Sequence, residues 1–467
     1  MTRMSTERRG IRRFALTLVG VLAALGLLGG VGAAASLTQG PRVSTVQADP
    51  AAAIEVSGAR VILTANQALG EIAPEQITVT PAAPFTADAA GRSVGVRFTL
   101  PLDDDTEYTV SVEGAHPVGG GPAGTLQTTF RTPPAQVFLL RRDTGGDDEI
   151  VRTDLSGQNE TVVFRAPVID DFRATSSRLV VATSDQGLSS LQVMDRDGAD
   201  PTDIALPGEG LVQQLQVSQR GDLVGYTFTD PDGQELLSAL FLSDLRHPAA
   251  DPVPVQVGGA PASVDPWRFV PDSTALLMVD FDGQLIQVDP GSDADPVLLG
   301  GAVAIDAISR GTYTALVERV QEGIVQLDLT TGEQSALVEP DRDLGLLTAL
   351  QPLPAGAPGR GGTIREYQRM GDDGLPAPPV VVHVADDGEA RVLFASEADD
   401  ALLQTCVSPS GRYVAALVAP QIVGNPYDDA LMPMPQQLET HVIDVDSGEE
   451  TAVLDGFGIS WCTVAPA

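Results

Sequence analysis

The sequence predicts an all-β chain in three parts: an N-terminal transmembrane helix, a β-sandwich, and a seven-bladed β-propeller closed by its C-terminal strand. Three observations carry this reading. Forty-eight glycines and 35 prolines punctuate the 467 residues, many in DG, SG, GG or PG pairs that mark turns between short strands. An uncharged stretch follows a basic start, and beyond residue 136 one strand-turn-strand unit recurs.

The leader is a basic segment over residues 1–13, with Arg8, Arg9, Arg12 and Arg13, followed by an uncharged run from Phe14 to Leu37. That run exceeds the ~20 residues needed to cross a bilayer. Positive flanks stay inside, so the expected location is the cell membrane, single-pass, with the C-terminal domains outside. Ala33-Ala34-Ala35 also offers small residues for a signal peptidase, and secretion after signal cleavage is the alternative. No cysteine lies in this region, which excludes a lipoprotein anchor.

All 28 basic residues are arginines, set against 63 acids and a net charge of −35. The absence of lysine excludes Schiff-base chemistry, a phosphate-loop lysine and lysine general bases. So acidic a surface repels nucleic acid, and it leaves membrane contact to the N-terminal helix alone.

Residues 41–132 alternate apolar and polar positions over short segments such as ARVILTANQAL, SVGVRFTL and TEYTVSVEG. Alternation of this kind buries one face of each strand against a second sheet. The residues PRVSTVQADPAAA, VILTANQAL, LDDDTEYTVSVEG and TTFRTPP resemble the SbsA-type bacterial Ig-like domain family, with Tyr108 and Phe130 the most recognisable positions. Ala65 departs from the aromatic usual there. The resemblance implies a surface spacer or adhesion module without chemistry of its own.

Residues 133–136 form a stiff linker opening on Pro133-Pro134, and 137–467 carry the repeat. Seven times a hydrophobic strand runs into an Asp-containing turn, at Asp154, Asp195, Asp244, Asp289, Asp328, Asp386 and Asp444. Spacings of roughly 40 to 60 residues suit a four-stranded blade. Between these turns QVSQRGDLVGYTF, RFVPDSTALLMVD, AISRGTYTALVE and CVSPSGRYVAALV resemble the innermost-strand signature of TolB-like (WD40-like) propellers, best at Ser408-Pro409-Ser410-Gly411. The repeat starts mid-blade, so the final GFGISWCTV is expected as the strand that completes the first blade. Trp267 and Trp461 read as innermost-strand core residues.

Cys406 and Cys462, the two cysteines, fall late in an exported chain where oxidation is the default. A disulfide between innermost strands of neighbouring blades is expected, with two buried thiols as the alternative.

Chemistry is faint in the sequence. Gly91-Arg92-Ser93-Val94-Gly95 matches a hydrolase elbow but sits at a strand start, where no strand-to-helix turn can form. The Asp-rich turns at Asp195, Asp230 and Asp280 lack the spaced ligands of a calcium loop, and the four histidines are scattered. No catalytic residue, metal or cofactor is therefore predicted. The strongest irregularity is extra length between the second and third strands of the last two blades, Glu366–Pro379 and Pro420–Leu438. Tyr367, Ile422, Tyr427, Leu431, Met432 and Met434 are the candidate binding residues, apolar matter where a loop is normally polar. A loop that folds back over the propeller's own mouth is the competing reading. The expected function is non-catalytic extracytoplasmic binding or scaffolding, the propeller engaging a protein or cell-envelope component. A hydrolase or lactonase using channel carboxylates is the alternative.

Overall fold

The computed structural model describes residue 21 and residues 39–466, apart from 143–144, 219–221, 293, 357–358, 372–373 and 375. The expected membrane span, 14–37, lies outside the described residues except for Val21. Among the described residues no helix is long and apolar enough to cross a membrane.

The described residues divide into two units, of which the smaller holds 39–49, 60–97 and 107–131. It is a two-sheet sandwich. One sheet orders Val43–Ala48, Arg60–Ala65, Ser93–Phe98 and Phe85–Ala90; the other orders Ile77–Thr80, Glu107–Ala115 and Gly124–Arg131. Period-2 patterning is what buries one face, and Val61, Leu63, Ala65, Val94, Val96, Val110 and Val112 all point inward. Tyr108 packs its ring on Phe130 with centroids 5.9 Å apart. Ser93 opens a strand after a hairpin turn at Gly91, whose φ of +60° suits glycine. The hydrolase-like match is thus part of a hairpin.

The larger unit holds 132–467 together with 50–59 and 98–106. It is a β-propeller of successive antiparallel meanders. Among the described residues a three-stranded sheet (Gln136–Arg141, Asp148–Asp154, Thr161–Ala166) is followed by six four-stranded sheets, and the two-stranded hairpin Gln256–Val257/Ala260–Pro261 branches between two of them. The first strands of the six are Ile169–Ala174, Leu211–Val217, Val264–Phe269, Ala304–Ile308, Leu346–Pro352 and Ala401–Val407. Each of the first five touches the first strand of the next sheet. Buried polar side chains stitch neighbouring sheets: Gln216 Nε2 donates to Trp267 O at 2.7 Å, and Ser218 Oγ to Ser273 O at 2.8 Å.

The repeating aspartates mark ends of strands, as the pattern implied. Asp154, Asp244, Asp328 and Asp444 are the last residues of theirs and Asp289 follows directly on one. Their Oδ1 atoms accept the backbone N–H two residues on, at 2.7–3.0 Å. Such Asx turns release the chain into the fourth strand. In the sixth repeat the accepting carboxylate is that of Asp387, which takes Glu389 N at 3.1 Å, in place of the expected Asp386.

The C-terminal segment differs from expectation. It does not form a regular strand: Phe457 bridges Leu140 through two backbone hydrogen bonds of 2.8 and 2.9 Å, Ser460 N donates to Phe138 O at 3.0 Å, and a turn follows. The positive φ of Gly456 and Gly458 bends the backbone out of strand geometry on either side of the bridge. Trp461 therefore lies off any strand, stacked on Tyr413 at 6.0 Å, whereas Trp267 is fully buried on the first strand of its sheet. Cys406 and Cys462 form a disulfide with Cα atoms 5.2 Å apart, but only Cys406 sits on a first strand.

Candidate functional site

Every one of the six first strands carries a register shift against its second strand. A bulge leaves a residue unpaired and re-aims its side chain. The unpaired positions include Asp170, Gln214, Asp265 and Asp306. The left-handed φ of Gln214, +49°, belongs to this distortion. Three of these, Asp170, Gln214 and Asp265, line an inner cavity of the propeller.

That cavity, about 460 Å³, is walled by Asp170, Asp171, Gln214, Asp265 and Arg268 from three first strands, by Arg142 and Phe457, and by Val464, Ala465 and Pro466. Leu431, Met432 and Met434 complete its wall. Two repeats contribute the same unit, Asp170-Asp171-Phe172-Arg173 and Asp265-Pro266-Trp267-Arg268, with aspartate in the bulge, an aromatic in the core and arginine three residues on. Arg173 is 4% exposed and donates Nη1 to Asp171 Oδ1 at 2.6 Å. Asp170 Oδ1 accepts from Ser184 Oγ at 3.1 Å, and Gln214 Nε2 donates to Asp265 Oδ1 at 2.7 Å.

Burial dominates the electrostatics. It raises the pKa of Asp170 and Asp171 and pushes Asp306 up to about 6, with Glu318 adding to the shift and Arg268 opposing it. Arg268 is brought down to about 10 by burial, Asp306 and Asp265 resisting and Arg173 adding to the fall. The inner wall thus holds charges of both signs, short of solvent.

The expected binding residues separate into three groups. Tyr367 is a correction: it lies on the strand Thr363–Gln368, is 4% exposed, and packs with Leu344, Val382 and Val384. The strand runs further than the turn residues suggested, so the first insertion begins after Gln368 rather than at Glu366. Met434 is likewise buried, and Ile422 packs partly buried against the same core as Phe457 and Leu140. Tyr427, Leu431 and Met432 are exposed, as is Val423 at 98%.

The second insertion is built, not loose. Asp428 Oδ1 accepts from the N–H groups of Ala430 and Met434, both at 3.1 Å, and Asn425 exchanges side-chain hydrogen bonds with Gln437 at 2.8 and 3.0 Å. Arg142 pins it: Nη1 reaches Asp428 Oδ2 at 3.1 Å and Met432 O at 2.9 Å, Nη2 reaches Asp170 O at 3.1 Å, and the guanidinium lies 5.2 Å from the centre of the Phe457 ring. One side of the loop therefore covers the inner cavity while the other presents Val423 and Tyr427 outward. The competing fold-back reading and the exposed-surface reading each describe one side of it.

Among the described residues no cluster of three or more His, Cys, Asp or Glu could hold a metal ion. The carboxylates of the Asp-rich turns serve their own backbones: Asp280 Oδ1 accepts from Asp282 N and Gln284 N at 3.0 and 2.8 Å.

No family model matches the chain, and no curated protein is similar to it. Solved structures similar to it include a putative TolB from Agrobacterium tumefaciens, 14% identical over 69% of this chain and 90% of that one, with a TM-score of 0.35. TolB from Acinetobacter baumannii is 13% identical over 69% and 80%, TM-score 0.38. The β-propeller domain of Cps50 (Swd1) from Myceliophteria thermophila is 14% identical over 63% and 87%, TM-score 0.40.

Proposed function

We propose that this chain is a non-catalytic extracytoplasmic binding or scaffolding protein, held at the cell membrane by residues 14–37. In this reading residues 41–132 are an SbsA-type Ig-like spacer, and 137–467 a seven-bladed TolB-like propeller completed by its C-terminal segment. The disulfide favours an oxidising compartment outside the cytoplasm. The partner is a protein or a cell-envelope component. The observation that carries the reading is the loop over 420–438: its buried side is locked by Arg142, Asp428 and Met434, and its outer side exposes Val423 and Tyr427. A stiff loop with exposed apolar anchors loses little conformational entropy on binding.

The test is in-cell crosslinking and pull-down of the tagged full-length chain beside Val423→Ser/Tyr427→Ser. Replacing the whole loop would strip Met434 and Asp428 from the core, so the two exposed positions are the informative ones. A partner reduced about tenfold in the variant supports the reading. Equal recovery removes the loop as the binding surface.

A hydrolase or lactonase is the second reading, favoured by the raised pKa of Asp306 beside Arg268, since a carboxyl near neutrality suits general acid–base work. It predicts ester or lactone turnover that Asp306→Asn abolishes.

A further inference from the structure

We propose that a second, smaller cavity of the propeller unit binds a small organic monoanion, a carboxylate on a short apolar body. This goes beyond the proposed function, which concerns the outer side of the loop.

The smaller cavity, about 120 Å³, adjoins the larger one and shares Arg268 and Val464 with it. The two differ in charge. Asp170, Asp171 and Asp265 line the larger cavity, whereas among the described residues no carboxylate lines the smaller, whose charged groups are Arg268 and Arg310. In a chain with 63 acids against 28 arginines, a wall whose charges are all cationic selects an anion.

Both arginines have donors to spare. Arg268 gives Nη1 to Trp267 O at 2.9 Å, and Arg310 gives Nη1 to Asp272 Oδ1 at 3.3 Å. Their Nε and Nη2 atoms bond no described residue, and none of the four is among the unpartnered polar atoms sealed from solvent. Nε and Nη2 form one edge of the guanidinium fork, the edge that takes both oxygens of a carboxylate through parallel bonds. Arg310 already holds Asp272, while no side-chain carboxylate accepts from Arg268 among the described residues. The fork left for a ligand is therefore that of Arg268, with Arg310 adding its field. Burial leaves both cations short of water and lowers the pKa of each, so an anion beside them is held more strongly than at an open surface.

The remaining wall sets the rest of the ligand. Phe269, Pro352, Pro354, Pro409 and Trp461 line it, with Trp461 held in place by its stacking on Tyr413. An inorganic oxyanion needs donors on every side, which rings and prolines do not supply. A neutral apolar molecule would displace water from the Arg268 edge and leave it unpaired, a desolvation cost without return. A carboxylate with an apolar body meets both walls at once. Size limits that body: a cavity of ~150 Å³ holds benzene, so a chain of about four carbons suits this one.

The experiment is isothermal titration of the full-length chain at pH 7 with three probes: butyrate, butyramide, which has the same shape without the charge, and inorganic phosphate. The expected result is saturable binding of butyrate with Kd of about 1 mM or tighter, and binding of butyramide and phosphate weaker by about tenfold or more. In Arg268→Gln, butyrate should fall to the level of butyramide. In Arg310→Gln, butyrate should weaken severalfold and butyramide stay unchanged, which places the ligand in this cavity because Arg310 does not line the larger one. A misfolded variant would lose butyramide as well, and unchanged near-UV circular dichroism checks each. Butyrate binding weaker than about 1 mM, or none, overturns the proposal. So does butyramide or phosphate binding as tightly as butyrate, and so does butyrate affinity indifferent to both arginine substitutions or to Arg310→Gln alone. Every one of these results leaves the loop-surface reading standing, because Val423 and Tyr427 do not line this cavity.

Discussion

Arg142 is the side chain on which the inner and outer readings of the loop both depend. Its ion pair with Asp428 is nearly buried, at 8% and 10% exposure, and it also holds three carbonyls. Removing one partner of a buried pair leaves the other charge unsatisfied. Arg142→Ala should therefore cost about 3 kcal/mol in urea denaturation, and proteolysis should newly cut within 420–438. Asp306 gives a prediction in pH. Its folded pKa of about 6 stands above that of an unfolded aspartate, about 3.9. The unfolded chain releases this proton first as pH rises, so the group's contribution to stability is full below about pH 4 and declines until about pH 6. Asp306→Asn should raise stability by about 1–3 kcal/mol at pH 8 and not at pH 4, as denaturation at the two values would measure. At this scale the sequence was least legible. Asp170, Asp265 and Arg268 stood in plain view as DDFR and DPWR, but the turning of the two aspartates to the cavity wall depends on a bulge that no residue type announces. Tyr367 was misplaced because a strand end is invisible when polar residues continue its alternation.

Elements were far more legible. The turn aspartates could be found because an Asx turn needs a short carboxylate at one place, and the burial of alternate strand residues leaves a period of two. Bonds from Arg246 hold the Asp244 carboxyl down at about 2, and those from Thr330 lower Asp328, so these turns keep their acceptors charged in mild acid. What could not be read was packing between sheets. Gly225, on the strand Leu223–Thr229, would place a Cβ 2.5 Å from Trp267 Cη2 and 2.9 Å from Leu242 Cδ2. The indole occupies the space that a side chain would take. Gly225→Ala should cost about 1–3 kcal/mol by overpacking. The double variant with Trp267→Phe should cost less than the two single changes summed, a coupling that a thermal-denaturation cycle would detect.

For the whole molecule, the order of the sheets followed from counting repeats, and the disulfide from having two cysteines in a chain expected to be exported. The irregular end was missed because GFGISWCTV looks like its strand-forming counterparts until its glycines adopt positive φ. The Cys406–Cys462 bond closes a segment with a sequence separation of 56. Constraining an unfolded loop of that length contributes roughly 4 kcal/mol, so urea midpoints with and without reductant should differ accordingly. Cys406→Ser should reproduce the reduced value.

The same bond decides how the chain carries force. Pulled from its two ends, the oxidised protein passes load from Cys406 to Cys462 through sulfur, and the last four-stranded sheet beyond Cys406 is left slack. Its second to fourth strands and the loop with Val423 and Tyr427 stay outside the line of tension. In single-molecule extension the oxidised chain should come up short of the reduced one by roughly 190 Å of contour, the extended length of the bypassed residues. A surface displayed at the end of a tether would then keep its shape while the rest of the propeller is drawn out.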